Sequence, residues 1–92
     1  MSDLKENNRY GALLFRKEWK EKRQIILNRD NHQCINCGAK EDLEVHHRQY
    51  IFHTNIKRFS LPWEYSNHLL ITLCRECHSR GHAKFTVPII KL

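Results

Sequence analysis

The stretch Cys74-Arg75-Glu76-Cys77-His78-Ser79-Arg80-Gly81-His82, CRECHSRGH, packs two kinds of metal-binding spacing into one short segment. Cys74 and Cys77 form a C-x2-C pair, which sets two sulfurs on one side of a turn. His78 and His82 stand four apart, so on a helix they share a face and can clamp one ion. An apolar run, Leu69-Leu70-Ile71-Thr72-Leu73, leads directly into the segment and reads as a strand. The pattern predicts a strand followed by a short helix over 74–85, weakened at Gly81.

A second C-x2-C pair, Cys34 and Cys37, lies upstream in His32-Gln33-Cys34-Ile35-Asn36-Cys37-Gly38, with thirty-six residues between the pairs. Gly38 can supply the positive φ that a tight thiolate turn requires. Four thiolates in this spacing close a tetrahedral zinc site. Two disulfides are disfavoured in a reducing compartment, and a redox C-x-x-C is disfavoured because there are two pairs and no βαβ pattern. An all-cysteine zinc has no open position for water, so this metal is expected to fold the chain, and catalysis would have to come from elsewhere.

Between the pairs, Leu43-Glu44-Val45-His46-His47-Arg48-Gln49-Tyr50 alternates like a short strand and carries two adjacent histidines. Successive strand residues point to opposite faces, which would split the pair. Either one of them is simply buried against the core, or both imidazoles are needed at one point and the strand ends or bends there. In the second case His46 completes a three-imidazole set with His78 and His82. His47 is then free as a base, since an imidazole with a pKa near 6.5 accepts a proton at neutral pH.

Upstream, residues 16–29 lack Gly and Pro and place Phe15, Trp19, Ile26 and Leu27 on one face with Arg23 in register, which predicts a helix ended by Asn28-Arg29-Asp30-Asn31. Residues 1–10 are expected to be flexible. Residues 51–66 read as a long irregular loop holding Pro62, Trp63 and Tyr65, and a loop of that length is a functional candidate. Trp19, Trp63 and Tyr65 are placed nearer the core than a site. The apolar tail 86–92 reads as an edge strand, a packed tail or a partner contact, and Pro88 argues against a central strand. His32, His53 and His68 carry no assignment.

With 92 residues, the chain is expected to be one α+β domain small enough to need a staple. A net charge of +6 and a pI near 9.4 favour a polyanionic partner, against the alternative of a merely solvated basic surface. No secretory leader or membrane-length apolar run is read, so the expectation is cytoplasmic with no membrane partner.

Together, the helix Trp19-x3-Arg23-x2-Ile26-Leu27-x-Arg29-Asp30, the knuckle CINCG, the strand LEVHHR, the segment PWEYSN, and LLITLCRECH followed by His82 resemble the HNH endonucleases. The likeness runs from about Trp19 to His82 and is nearest to the four-cysteine zinc subgroup. It implies the ββα-metal (His-Me finger) fold with an additional N-terminal helix, and metal-dependent hydrolysis of double-stranded DNA leaving 5′-phosphate and 3′-hydroxyl ends.

The resemblance further implies His47 as general base, with His46, His78 and His82 as ligands of the catalytic ion. Asn67 is the motif's middle letter, bracing the loop that carries the base or, as in some members, binding the metal, with a simple turn residue before the strand as the alternative. Arg48 is the candidate phosphate clamp, with an ordinary surface arginine as the alternative. Imidazole ligands favour Zn, Ni, Mn or Co over Mg, and His46 stands where some relatives have an aspartate. A zinc-ribbon-like nucleic-acid-binding module, or an accessory subunit of a phage or restriction system, stays open as the non-catalytic alternative. One active site cuts one strand, so double-strand cleavage would call for a homodimer, a second encounter or docking onto a larger DNA-processing complex.

Overall fold

The computed structural model describes residues 11–92; the expected flexible segment 1–10 lies outside them. Helix α1 (Lys17–Arg29) buries Trp19, Ile26 and Leu27. Arg23, on the same face, donates from Nη2 to the Leu43 carbonyl at 3.2 Å. Phe15 departs from expectation: it precedes the helix in a turn and is 79% exposed. The helix closes on Asp30, and Asn31 and His32 follow at positive φ of 58° and 53°.

Strand β1 (Leu43–His47) pairs antiparallel with β4 (Leu70–Cys74) from Leu43↔Cys74 to His47↔Leu70. Helix α2 (Arg75–Lys84) starts without a linker at the end of that hairpin. The strand expected over 43–50 therefore stops at His47 and resumes after a two-residue break.

The expected irregular loop 51–66 is corrected. It contains most of β2 (Tyr50–His53), which pairs antiparallel with β3 (Arg58–Phe59), and a 3-10 turn at Pro62–Glu64. Strands of four and two residues are too short to show a period of two in sequence. The tail supplies β5 (Ile89–Lys91), parallel to β2 and at the edge of the second sheet, whose order is β3-β2-β5. Pro88 sits just before it, and its carbonyl accepts from the Tyr50 N–H at 2.9 Å.

Two buried clusters hold the layers together. Trp19, Ile26, Tyr65 and Leu70 form the first, with Trp63 partly buried against it. Cys34, Leu73, Cys74 and Cys77 form the second. Between them, Arg29 donates to the Asn67 and Leu70 carbonyls at 2.7 Å each, and Asp30 Oδ2 accepts from the Thr72 N–H at 3.0 Å. The hydrogen-bonded Arg29 guanidinium holds the Asp30 carboxyl below its ordinary range. This clasp fixes the end of α1 to β4. No helix among the described residues is long and apolar enough to cross a membrane.

Candidate metal centres

The four cysteines gather as their spacing predicts, with one sulfur from each lying within 4.8 Å of the others. Gly38 takes φ +80° and its N–H bonds the Cys34 carbonyl at 2.9 Å, which closes the knuckle. The Ile35 N–H donates to the Thr72 carbonyl at 3.0 Å, pinning the knuckle to β4. Cys37 Sγ and Cys74 Sγ are 3.7 Å apart, against about 3.8 Å for two sulfurs each about 2.3 Å from a tetrahedral zinc. That separation excludes a disulfide between them, whose bond length is about 2 Å.

Thiolate character is supported locally. Cys74 Sγ accepts from the Cys77 N–H at 3.4 Å, and Cys77 Sγ accepts from Asn36 Nδ2 at 3.3 Å. Burial opposes ionisation of Cys34, but the backbone N–H groups of Cys74, Cys37 and Asn36 outweigh it and bring its pKa down to about 6. At Cys37 the Ala39 N–H favours the thiolate, yet proton sharing with Cys34, Cys74 and Cys77 pushes the thiol up to about 12. Protons are thus divided unequally among crowded sulfurs, and a bound dication lets all four ionise.

The second cluster contains His46, His78 and His82, again with ligand atoms within 4.8 Å of one another. His78 Nε2 lies 2.9 Å from His46 Nδ1 and 2.9 Å from His82 Nε2. On its other side, His78 Nδ1–H donates to Glu44 Oε1 at 3.0 Å, which leaves Nε2 with its lone pair. One in-plane lone pair cannot satisfy two hydrogen-bonding neighbours, whereas a cation at the common point of three lone pairs satisfies all three. The residues therefore fit a bound ion. Burial, and then the neighbouring His78 and His82, bring the His46 pKa down to about 4, so its ring is neutral and available as a ligand near pH 7.

Glu44 was not singled out from the sequence, although β1 contained the signal. Strand alternation puts Glu44 and His46 on the same face, and both meet His78 there.

His47 goes the other way, because the ladder continues through the doublet to His47↔Leu70. The strand ends only after His47, so alternation splits the pair, and the expectation that both imidazoles serve one point is corrected to this extent. His47 is 5% exposed. It stacks between Trp19 and Tyr50 at centroid distances of 5.1 and 5.4 Å, with Tyr65 edge-on at 5.0 Å. His47 Nε2–H donates to the Pro62 carbonyl at 3.1 Å, which leaves Nδ1 as the basic nitrogen. Burial lowers the pKa, partly offset by that carbonyl.

Asn67 faces α1. Its side-chain oxygen accepts from Lys22 Nζ and its carbonyl from Arg29. Arg48, anchored by its N–H to the Leu69 carbonyl at 2.8 Å, lines a cleft of about 330 Å³ together with His46 and His82. Of the unassigned histidines, His53 pairs with Ser60 Oγ at 2.8 Å and His32 with Asn28 Oδ1 at 2.7 Å. Family models, curated proteins and solved structures give no match to the chain.

Proposed function

We propose that the chain is a metal-dependent endonuclease that hydrolyses phosphodiester bonds in DNA, using β1, β4 and α2 as a ββα-metal unit. The observation that carries this reading is the convergence of three imidazole nitrogens beside a cleft that also holds Arg48. His46, His78 and His82 would hold a divalent ion, which supplies Lewis-acid stabilisation of charge on the phosphate and the departing 3′ oxygen. Imidazole ligands suit Zn, Ni, Mn or Co better than Mg. Arg48 offers a planar set of donors to a phosphate oxygen.

His47 is the proposed proton acceptor for the attacking water. Its Nε2–H is committed to Pro62, so Nδ1 is the basic nitrogen, and burial keeps the ring neutral. Against this role stands its position on the opposite face of β1, nearly sealed. That burial favours a second reading, in which His47 is a core residue and the domain is a zinc-stapled nucleic-acid-binding module without cleavage of its own. In both readings Asn67 and Arg29 brace the turn that enters β4.

The test is nicking of supercoiled plasmid by protein that retains its cysteine-bound zinc but has been freed of weakly held ions, then given Zn, Ni, Mn, Co or Mg. Nicking is expected to be faster with a transition ion than with Mg, and to fall by about 10³-fold or more in His46→Ala. His47→Ala is expected to lose about 10²- to 10⁴-fold. Intact DNA binding with no metal-dependent nicking by pure wild type would leave only the binding module, and Mg equal or superior to the transition ions would overturn the metal assignment.

A further inference from the structure

The chain just beyond the two α2 histidines continues the wall of the cleft. Phe85 follows His82 by three residues, where the helix gives way to extended backbone. Phe85 is the C-cap of α2, its N–H bonded to the Gly81 carbonyl at 2.7 Å, and it is 74% exposed. It lines the same cleft as His46, Arg48 and His82, and Val87 and Pro88 extend its apolar wall. That wall is not a loose tail, because Pro88 is tied to Tyr50 and the chain then enters β5 beside β2.

The cleft thus has two kinds of lining. His46, His82 and Arg48 supply imidazoles and a guanidinium, and Phe85, Val87 and Pro88, with Ile71 and Leu73, supply aromatic and aliphatic surface. A nucleotide has the matching division, with an anionic phosphate on one side and a sugar and flat base on the other. The net charge of +6 favours the approach of such a polyanion.

We infer that this cleft is a nucleotide subsite, in which Phe85 packs against the nucleoside adjoining the phosphate held at the His46, His78 and His82 centre. The inference rests on the nucleic-acid reading of that centre and names a substrate contact that the histidines do not provide. Aromatic packing on an unpaired base is worth enough that truncation weakens binding by about five- to 150-fold, and it is tolerant of sequence.

The test compares wild type, Phe85→Ala and Phe85→Trp in two assays: equilibrium binding of a fluorescent single-stranded oligonucleotide without added catalytic metal, and its steady-state cleavage with the best-supporting ion. Phe85→Ala is expected to raise Kd and KM about tenfold, leave kcat within about threefold, and leave Co(II) affinity at the histidine centre unchanged. Phe85→Trp is expected to restore binding. Kd and KM within twofold of wild type in Phe85→Ala would overturn the inference. So would a parallel fall in Co(II) affinity, which would make Phe85 a support of the metal centre. If wild type binds the oligonucleotide and cuts nothing while Phe85→Ala still weakens binding, the subsite stands and the hydrolytic reading falls.

Discussion

The two candidate metal centres share one helix and one hairpin yet differ in nearly every physical respect. Cys77 and His78 are adjacent on α2, but consecutive helical side chains point about 100° apart, so each joins a different cluster. The cysteine centre is made mostly of buried groups, with Cys34 at 2%, Cys74 at 7% and Cys77 at 8% exposure, and it offers four ligands to one ion. The histidine centre has three ligands, an exposed His82 and a cleft beside it. A saturated, buried centre can only hold the chain together, whereas an unsaturated centre at a cleft can meet a substrate. Disabling one centre at a time separates the two roles.

The largest effect is expected at the cysteines. Structural zinc sites carry roughly 10 to 16 kcal/mol of apparent binding free energy, comparable to or above the whole stability of a small domain. Chelation strong enough to strip the thiolates, or Cys77→Ala, is therefore expected to abolish the cooperative thermal transition and much of the far-UV circular dichroism signal. His82→Ala is expected to leave both nearly intact while lowering metal content by one ion per chain. A chelated protein that melts at the wild-type temperature would remove the structural role assigned to the cysteines.

The cysteine centre was legible because spacing alone constrains it: two C-x2-C turns with a glycine after the first leave the sulfurs few places to go. His46, His78 and His82 were nearly as legible, since two lie a helical turn apart and the third lies on the strand that leads back to them. The second sheet was not. Its strands in β2 and β3 are too short for alternation to show, and β5 finds its place only through a parallel pairing that no local pattern encodes. Phe15 was misplaced because its spacing extends the apolar stripe of α1 one turn beyond where the helix begins.

At the doublet, strand alternation sends the two imidazoles to opposite faces of β1. His46 faces α2 while His47 faces α1 and the aromatic cluster. Substituting Phe for His47 keeps the stack and removes the titrating ring. The folded state resists protonation of His47, so its pKa lies below that of the unfolded chain. The unfolded state then binds more protons as pH falls below about 6.5, and stability drops, whereas above that pH the ring is neutral in both states and adds no slope. Wild type is expected to lose stability more steeply than His47→Phe on acidification, by at most one proton's worth, about 1.4 kcal/mol per pH unit. Chemical denaturation between pH 7.5 and 5.5 measures this, and identical slopes would mean that His47 is hydrated and not the sealed residue described.

The smallest expected effect discriminates most finely, because it concerns how the histidine centre is held and not whether it exists. Glu44 accepts from His78 Nδ1–H and so presents the Nε2 lone pair to the cluster. Glu44→Gln can still accept through its amide oxygen but lacks the charge that strengthens the bond and raises the basicity of the ring. Glu44→Ala releases the ring altogether. Losses of orienting partners around metal ligands typically weaken affinity by about 10- to 100-fold, so Co(II) titration is expected to rank wild type above Glu44→Gln above Glu44→Ala. Metal content at the cysteines and the melting temperature should hold steady, since Glu44 is partly exposed and pairs with His78. If Glu44→Ala binds Co(II) as tightly as wild type, the carboxylate is a surface charge that happens to lie beside His78, and the tautomer must be set by the ion itself. If affinity falls in the expected order, the even face of β1 is a two-residue device in which His46 binds the ion and Glu44 aims its neighbour.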